Sequence, residues 1–132
     1  MTGIGAVSPI GNSFSEAWNA AKAGMSGIAP VTKSDLLHLK WKVAGELKGF
    51  DAGKYLSQKE IVRLDPFVHY AGAAAIMAAD DAGLRELKSA AVIIGSSRGG
   101  ISTLEKQMKK IYSFSPAGRT SRTSAYLMSG IL

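Results

Sequence analysis

The 132-residue sequence contains no cysteine. It therefore holds no disulfide framework, no cysteine-built zinc site and no thiol nucleophile. An absence of cysteine fits a reducing compartment. Histidine is almost as scarce, with His38 and His69 the two in the chain. Neither has an acidic partner at ligand spacing, which argues against a metal centre and implies no cofactor. No basic-then-apolar segment opens the chain, and no apolar run approaches the roughly 18 residues that would span a bilayer. These absences point to a soluble, cytoplasmic protein with no membrane role. Aromatic residues make up 8% of the chain. They are not interleaved with the basic residues, and no nucleic-acid-binding motif is recognisable. A nucleic-acid-binding reading thus rests on the net charge of +6 alone. An acidic protein partner, or plain solubility, accounts for it.

What is present is ordinary globular composition, 46% hydrophobic and 20% charged, in a length that suits one domain. The fifteen glycines are dispersed, which favours many tight turns over a low-complexity tract. The most informative stretch is residues 90–100, AAVIIGSSRGG. Ala91, Val92, Ile93 and Ile94 form an unbroken apolar run that predicts a strand covered on both faces. Gly95 ends the run, and Gly99 and Gly100 lead into a helical pattern.

The remaining elements follow from caps and periodicity. Ser8–Pro9 and Gly11–Asn12 mark turns. Ser13 and Glu16 have capping-box spacing, and Phe14, Ala17, Trp18 and Ala21 share one helical face up to a C-cap at Gly24. Residues 27–38 read as loop, and residues 43–47 as a weak strand. Ser57 and Glu60 repeat the capping box and start a short helix to about Leu64. Asp65–Pro66 begins a second helix, with Asp as N-cap and Pro at the first helical position. That helix is alanine-rich, runs to Gly83, and is expected to be the most buried. Asp80 and Asp81 sit at its unfavourable end and should be exposed or paired. Ile101, Leu104, Met108 and Ile111 predict a last amphipathic helix. Helices alternating with strands give an α/β class.

Residues 95–100 lack both GxxxxGK[ST] and GxGxxG, so a nucleotide loop is disfavoured. They do contain a formal GxSxG centred on Ser97. No Asp or His follows it to complete a hydrolase order. Lys59 and Arg63 lie i,i+4 on one helix face. On spacing alone they are a solvated face, as Arg119 and Arg122 are a solvated loop.

Four blocks, TGIGAVSPIGN, EAWNAAKAGMSGI, SQKEIVRLDPFVHYAGAAAIMAADDAGL and VIIGSSRGGISTLEKQ, occur in an order and spacing that resemble the N-terminal part of the β-ketoacyl-[acyl-carrier-protein] synthases, the elongating condensing enzymes. The resemblance covers nearly the whole chain. It implies part of a thiolase-like αβαβα sandwich, the incomplete N-terminal half, with residues 1–132 as a synthase N-terminal domain that stops before the catalytic cysteine. It implies decarboxylative condensation of acyl and malonyl thioesters, using a Cys and two His that lie later in the family than the matched segment. No catalytic residue carries over, and this chain alone is expected to be inactive. Acyl carrier protein is the implied partner, together with a second condensing-enzyme subunit, identical or related. A non-catalytic homologue serving as dimer partner is the alternative.

The resemblance also assigns roles. Lys59 and Arg63 would dock the carrier protein, with Val62 standing where a third basic residue is often found. Arg98 and Gly99 would lie in the loop beside the acyl pocket and dimer interface, joined by Phe114 and Pro116 from the segment that reaches the partner subunit. Arg98 replaces an apolar residue of the elongating enzymes, and Arg119 and Arg122 stand where the family is more apolar. Both departures weaken the case for a long saturated acyl chain. Apolar residues that precede the Thr2 position in the family are absent. Half a sandwich is also expected to leave an apolar face exposed.

Overall fold

The computed structural model describes residues 2–32, 40–84 and 90–112. It contains four α-helices, α1 (Phe14–Lys22), α2 (Gln58–Arg63), α3 (Pro66–Asp81) and α4 (Ile101–Tyr112), and two short strands, β1 (Ile28–Pro30) and β2 (Val43–Gly45). The chain divides into two compact units, Met1–Asp51 with Ala73–Lys88, and Ala52–Gly72 with Ser89–Leu132.

In the first unit, the turn expected at Ser8–Pro9 closes through paired backbone hydrogen bonds between Ser8 and Gly11, 2.9 and 3.1 Å long. Proline presets the turn at its second position. Ser13 caps α1, its Oγ accepting from the Glu16 N–H at 3.2 Å. The Glu16 carboxylate was expected to reach back to Ser13 and instead accepts the Asn12 N–H at 2.8 Å. The reason is the tight turn before it. A Cβ at Gly11 would lie 2.4 Å from the Ala17 nitrogen, so the chain approaches the helix closely enough to present the Asn12 amide. Gly24 ends α1 at φ +67°, with Gly24 N–H donating to Ala21 O and Met25 N–H to Ala20 O. This is the 6→1 and 5→2 pairing of a left-handed glycine stop. Gly83 ends α3 in the same way, through Gly83 N–H to Asp80 O and Leu84 N–H to Ala79 O.

Residues 43–47 are extended as expected over Val43–Gly45, and they pair antiparallel with Ile28–Pro30. The loop reading of 27–38 is corrected there. Three residues with a proline at one end carry too little periodicity to show as a strand, and they are held by their partner. Residues 33–39, including His38, lie outside the described residues.

Helix α3 holds Ala73, fully buried, and His69, 8% exposed. Its alanines let backbone approach closely. A Cβ at Gly5 would fall 1.9 Å from the Ala74 carbonyl oxygen, and one at Gly3 2.1 Å from that of Ala78. Asp81 is exposed, and its carboxylate accepts the Ile4 N–H at 2.9 Å. The charge disfavoured by the helix end thus serves to hold the N-terminal segment.

The covered strand expected at 91–94 is not formed. These residues belong to no regular element, have no strand beside them among the described residues, and are exposed, Ile93 at 94%. An apolar run reports that a segment can be buried; a ladder also requires an adjacent strand to accept it.

Candidate functional site

The second unit carries every described residue for which a site role is expected. Helix α2 is short and held by its first turn. Ser57 Oγ accepts the Glu60 N–H at 3.4 Å, and the Glu60 carboxylate accepts the Ser57 N–H at 2.8 Å and the Ser57 hydroxyl at 2.6 Å. This is the capping box read from the sequence. The Ser57 hydroxyl, then its backbone N–H, hold the Glu60 carboxyl below the ordinary glutamate range. Its charge, and the reciprocal cap, therefore persist into mild acid.

On this fixed turn Lys59 and Arg63 are both exposed, one helical turn apart. Neither pairs with the carboxylate of another described residue. Val62, 76% exposed, completes the outward face. The face is thus two exposed cations around an apolar spot, presented by a helix whose Glu60 is already committed to capping.

The connection into α3 and α4 is built around Asp65, which is 6% exposed. Its Oδ1 accepts the Phe67 N–H at 3.3 Å, the expected N-cap bond. Its Oδ2 accepts the Thr103 N–H of α4 at 2.8 Å. One carboxylate therefore serves the open amides of two helix starts. Gly100 precedes α4, and a Cβ there would meet the Asp65 carboxylate at 3.3 Å. This second role of Asp65 had no signal in the sequence. Along α4, Glu105 pairs with Lys109 at 2.7 Å. That bond and the lysine's charge hold the Glu105 carboxyl below its usual range.

The loop before α4 turns at Gly99, φ +54°, whose N–H donates to Ser96 Oγ at 2.9 Å. Arg98 is exposed at this turn. Arg98 and Gly99 line a cavity of about 710 Å³ with Ile94, Ser96 and Ser97, and with Phe67 and Val68 of α3. Sequence reasoning named the loop and missed Phe67 and Val68. No local pattern links Phe67 and Val68 to residues thirty positions away. Phe114, Pro116, Arg119 and Arg122 lie outside the described residues. Among the described residues, no three His, Asp or Glu side chains converge on a metal-sized site. No described helix is long and apolar enough to cross a membrane.

The family model described as "Beta-ketoacyl synthase, N-terminal domain" matches residues 1–131. The chain belongs to this family. The chain is similar to the 3-oxoacyl-[acyl-carrier-protein] synthase 2 of Synechocystis sp., 40% identical over 111 residues, 81% of this chain and 27% of that protein. Similarity to the protein of the same name from Coxiella burnetii is 37% over 120 residues, 88% of this chain and 29% of the relative. Among solved structures, the ishigamide ketosynthase/chain length factor superposes with a TM-score of 0.79 at 26% identity, covering all of this chain and 33% of its own. The chain thus spans less than a third of these curated relatives. Its fold is a part of the thiolase-like α/β arrangement, as the resemblance implied.

Proposed function

We propose that this chain is the N-terminal part of a 3-oxoacyl-[acyl-carrier-protein] synthase acting in the cytoplasm in fatty acid or polyketide synthesis. In that reaction an acyl group is held as a thioester on a cysteine. A malonyl thioester loses carbon dioxide, and the resulting carbanion attacks the acyl carbonyl. The cysteine thiolate leaves, and the new carbon–carbon bond stays on the carrier as a 3-oxoacyl thioester. This chain has no cysteine, so the nucleophile and the donors that stabilise the carbanion belong to other residues of the complete enzyme.

The share of the reaction assigned to these 132 residues is carrier docking and one wall of the acyl site. The carrying observation is the exposed pair Lys59 and Arg63 on a capped helix. An acidic carrier protein meets two exposed cations one helical turn apart, which favours fast, salt-sensitive association. On this reading Arg98 and Gly99 belong to the loop beside the acyl pocket and subunit interface, and Phe114 and Pro116 to the segment that reaches the partner subunit. A guanidinium there favours a shorter or more polar acyl group.

Charge reversal at Lys59 and Arg63 together should weaken binding of an acidic acyl carrier protein by about tenfold or more at low salt. The difference should shrink as salt is raised. Surface plasmon resonance against immobilised carrier protein reads both effects, and equal affinity for wild type and variant would remove the docking assignment. The 132-residue chain supplied with acyl and malonyl carrier thioesters should yield no 3-oxoacyl product.

A second reading is a non-catalytic condensing-enzyme homologue paired with an active synthase. The superposed structure is named a ketosynthase/chain length factor, and Arg98 departs from an apolar lining. Product formation by the complete protein alone, lost on cysteine replacement, separates an active synthase from such a partner.

A further inference from the structure

We propose that the carrier-docking face does not end on α2 but continues across a cleft onto α4, where Lys106 meets carboxylates of the same acidic carrier protein and Val62 and Leu64 seat an apolar side chain of it. The inference rests on the carrier-docking reading and adds to it a second helix and an apolar contact. The cleft has a volume of about 550 Å³ and lies wholly within the second unit. Val62, Arg63 and the C-cap Leu64 line it from α2, Pro66 from the start of α3, and Lys106 and Lys109 from α4. Among the described residues, no carboxylate lines it. Arg63 and Lys106 are exposed, and Lys109 is tied to Glu105. The groove thus has an exposed cation on each bank and apolar side chains in its wall.

The two banks are held at a fixed spacing by Asp65. This residue follows directly on Leu64, is 6% exposed, and accepts the Phe67 N–H at 3.3 Å and the Thr103 N–H at 2.8 Å. Arg63 stands two positions before that buried carboxylate. Lys106 stands three positions after the Thr103 amide that it holds, about one helical turn. The backbones that carry both cations are therefore set before a partner arrives, which lowers the ordering cost of binding. Val62 is the second observation. It is 76% exposed and lines the groove, so a partner that covers it removes apolar surface from water. A phosphate or a nucleic-acid backbone would meet the cations and leave Val62 and Leu64 in water. An acidic protein surface with an apolar residue among its carboxylates meets both, and electrostatic complementarity fixes its register.

The test is surface plasmon resonance of the 132-residue chain over an immobilised acidic acyl carrier protein. Lys106→Glu should weaken binding about tenfold or more at low salt, and the loss should shrink as salt is raised. Lys106→Gln, a milder change at the same exposed position, should lose about threefold. Val62→Ser should lose about threefold to tenfold at every salt concentration, because the contact is apolar. Lys22→Glu makes the same charge change on α1, in the first unit, and should lose less than about twofold. A scan of single Asp or Glu to Lys changes on the carrier should contain one that binds Lys106→Glu more tightly than the wild-type chain. Lys59→Glu separates the two readings. Weaker binding with Lys59→Glu and unchanged binding with both Lys106 variants would overturn the extension onto α4 and leave docking by α2 standing. Unchanged binding with all of them would overturn the extension and the docking reading together. Equal losses for Lys22→Glu and Lys106→Glu would reduce the effect to net charge and overturn the extension as well.

Discussion

At the scale of single residues, Asp65 shows how one side chain can tie two elements together. The Asp–Pro signature predicts the bond to Phe67, which lies two residues away. The bond to Thr103 crosses 38 positions and leaves no local pattern, so it was illegible in the sequence. The two bonds differ in kind from the exposed caps at Ser13 and Ser57, because Asp65 is buried and water cannot replace it. Asp65→Ala would strand two amides at helix starts, each worth about 1–2 kcal/mol. The expected loss is about 2–4 kcal/mol, while Asp65→Asn, which retains one acceptor oxygen, should lose about half as much. Urea unfolding of the chain and both variants checks the order. Equal midpoints for wild type and Asp65→Ala would show that the Thr103 and Phe67 amides find other partners.

At the scale of elements, helix starts and stops were the most legible features. Capping residues act within four positions, so sequence spacing and spatial contact coincide. Segments whose partners are distant were less legible: β1 reads as loop, and the N-terminal segment gives no sign that it lies on α3. Glycines record both kinds of constraint. Gly24 has open space around its missing Cβ and a φ of +67°, whereas Gly5 would place a Cβ 1.9 Å from the Ala74 carbonyl oxygen. Gly24→Ala should therefore cost about 1 kcal/mol through backbone strain alone. Gly5→Ala should cost about 1–3 kcal/mol by forcing the segment off the helix, only partly offset by a stiffer unfolded chain. The two are told apart by amide exchange at Ile4, whose N–H bonds the Asp81 carboxylate. Gly5→Ala should speed that exchange and Gly24→Ala should leave it unchanged. The reverse result would mean that the segment is not seated on α3.

At the scale of the whole molecule, the pattern of apolar exposure bears on the proposal that the chain is part of a longer synthase. Among the described residues, the buried apolar side chains are Ala20 and Ala73, while Trp18, Trp41, Val92, Ile93 and Ile94 are each more than half exposed. The composition is that of a protein with a substantial core, yet each unit leaves large apolar side chains exposed, Trp18 and Trp41 in the first and Val92, Ile93 and Ile94 in the second. The run at 91–94 is the sharpest case, since its sequence calls for cover on both faces and its structure provides none. In the 132-residue chain, Ile93→Thr should change stability by less than about 0.5 kcal/mol, as for an ordinary surface position. In a protein of the relatives' length, with the strand paired and covered, the same substitution should cost about 1–3 kcal/mol from lost apolar burial and an added hydroxyl. Urea unfolding of both proteins, each with and without the substitution, measures the contrast directly. An equally small cost in the longer protein would mean that residues 91–94 remain a surface segment there. The strand reading of the apolar run would then fail with it.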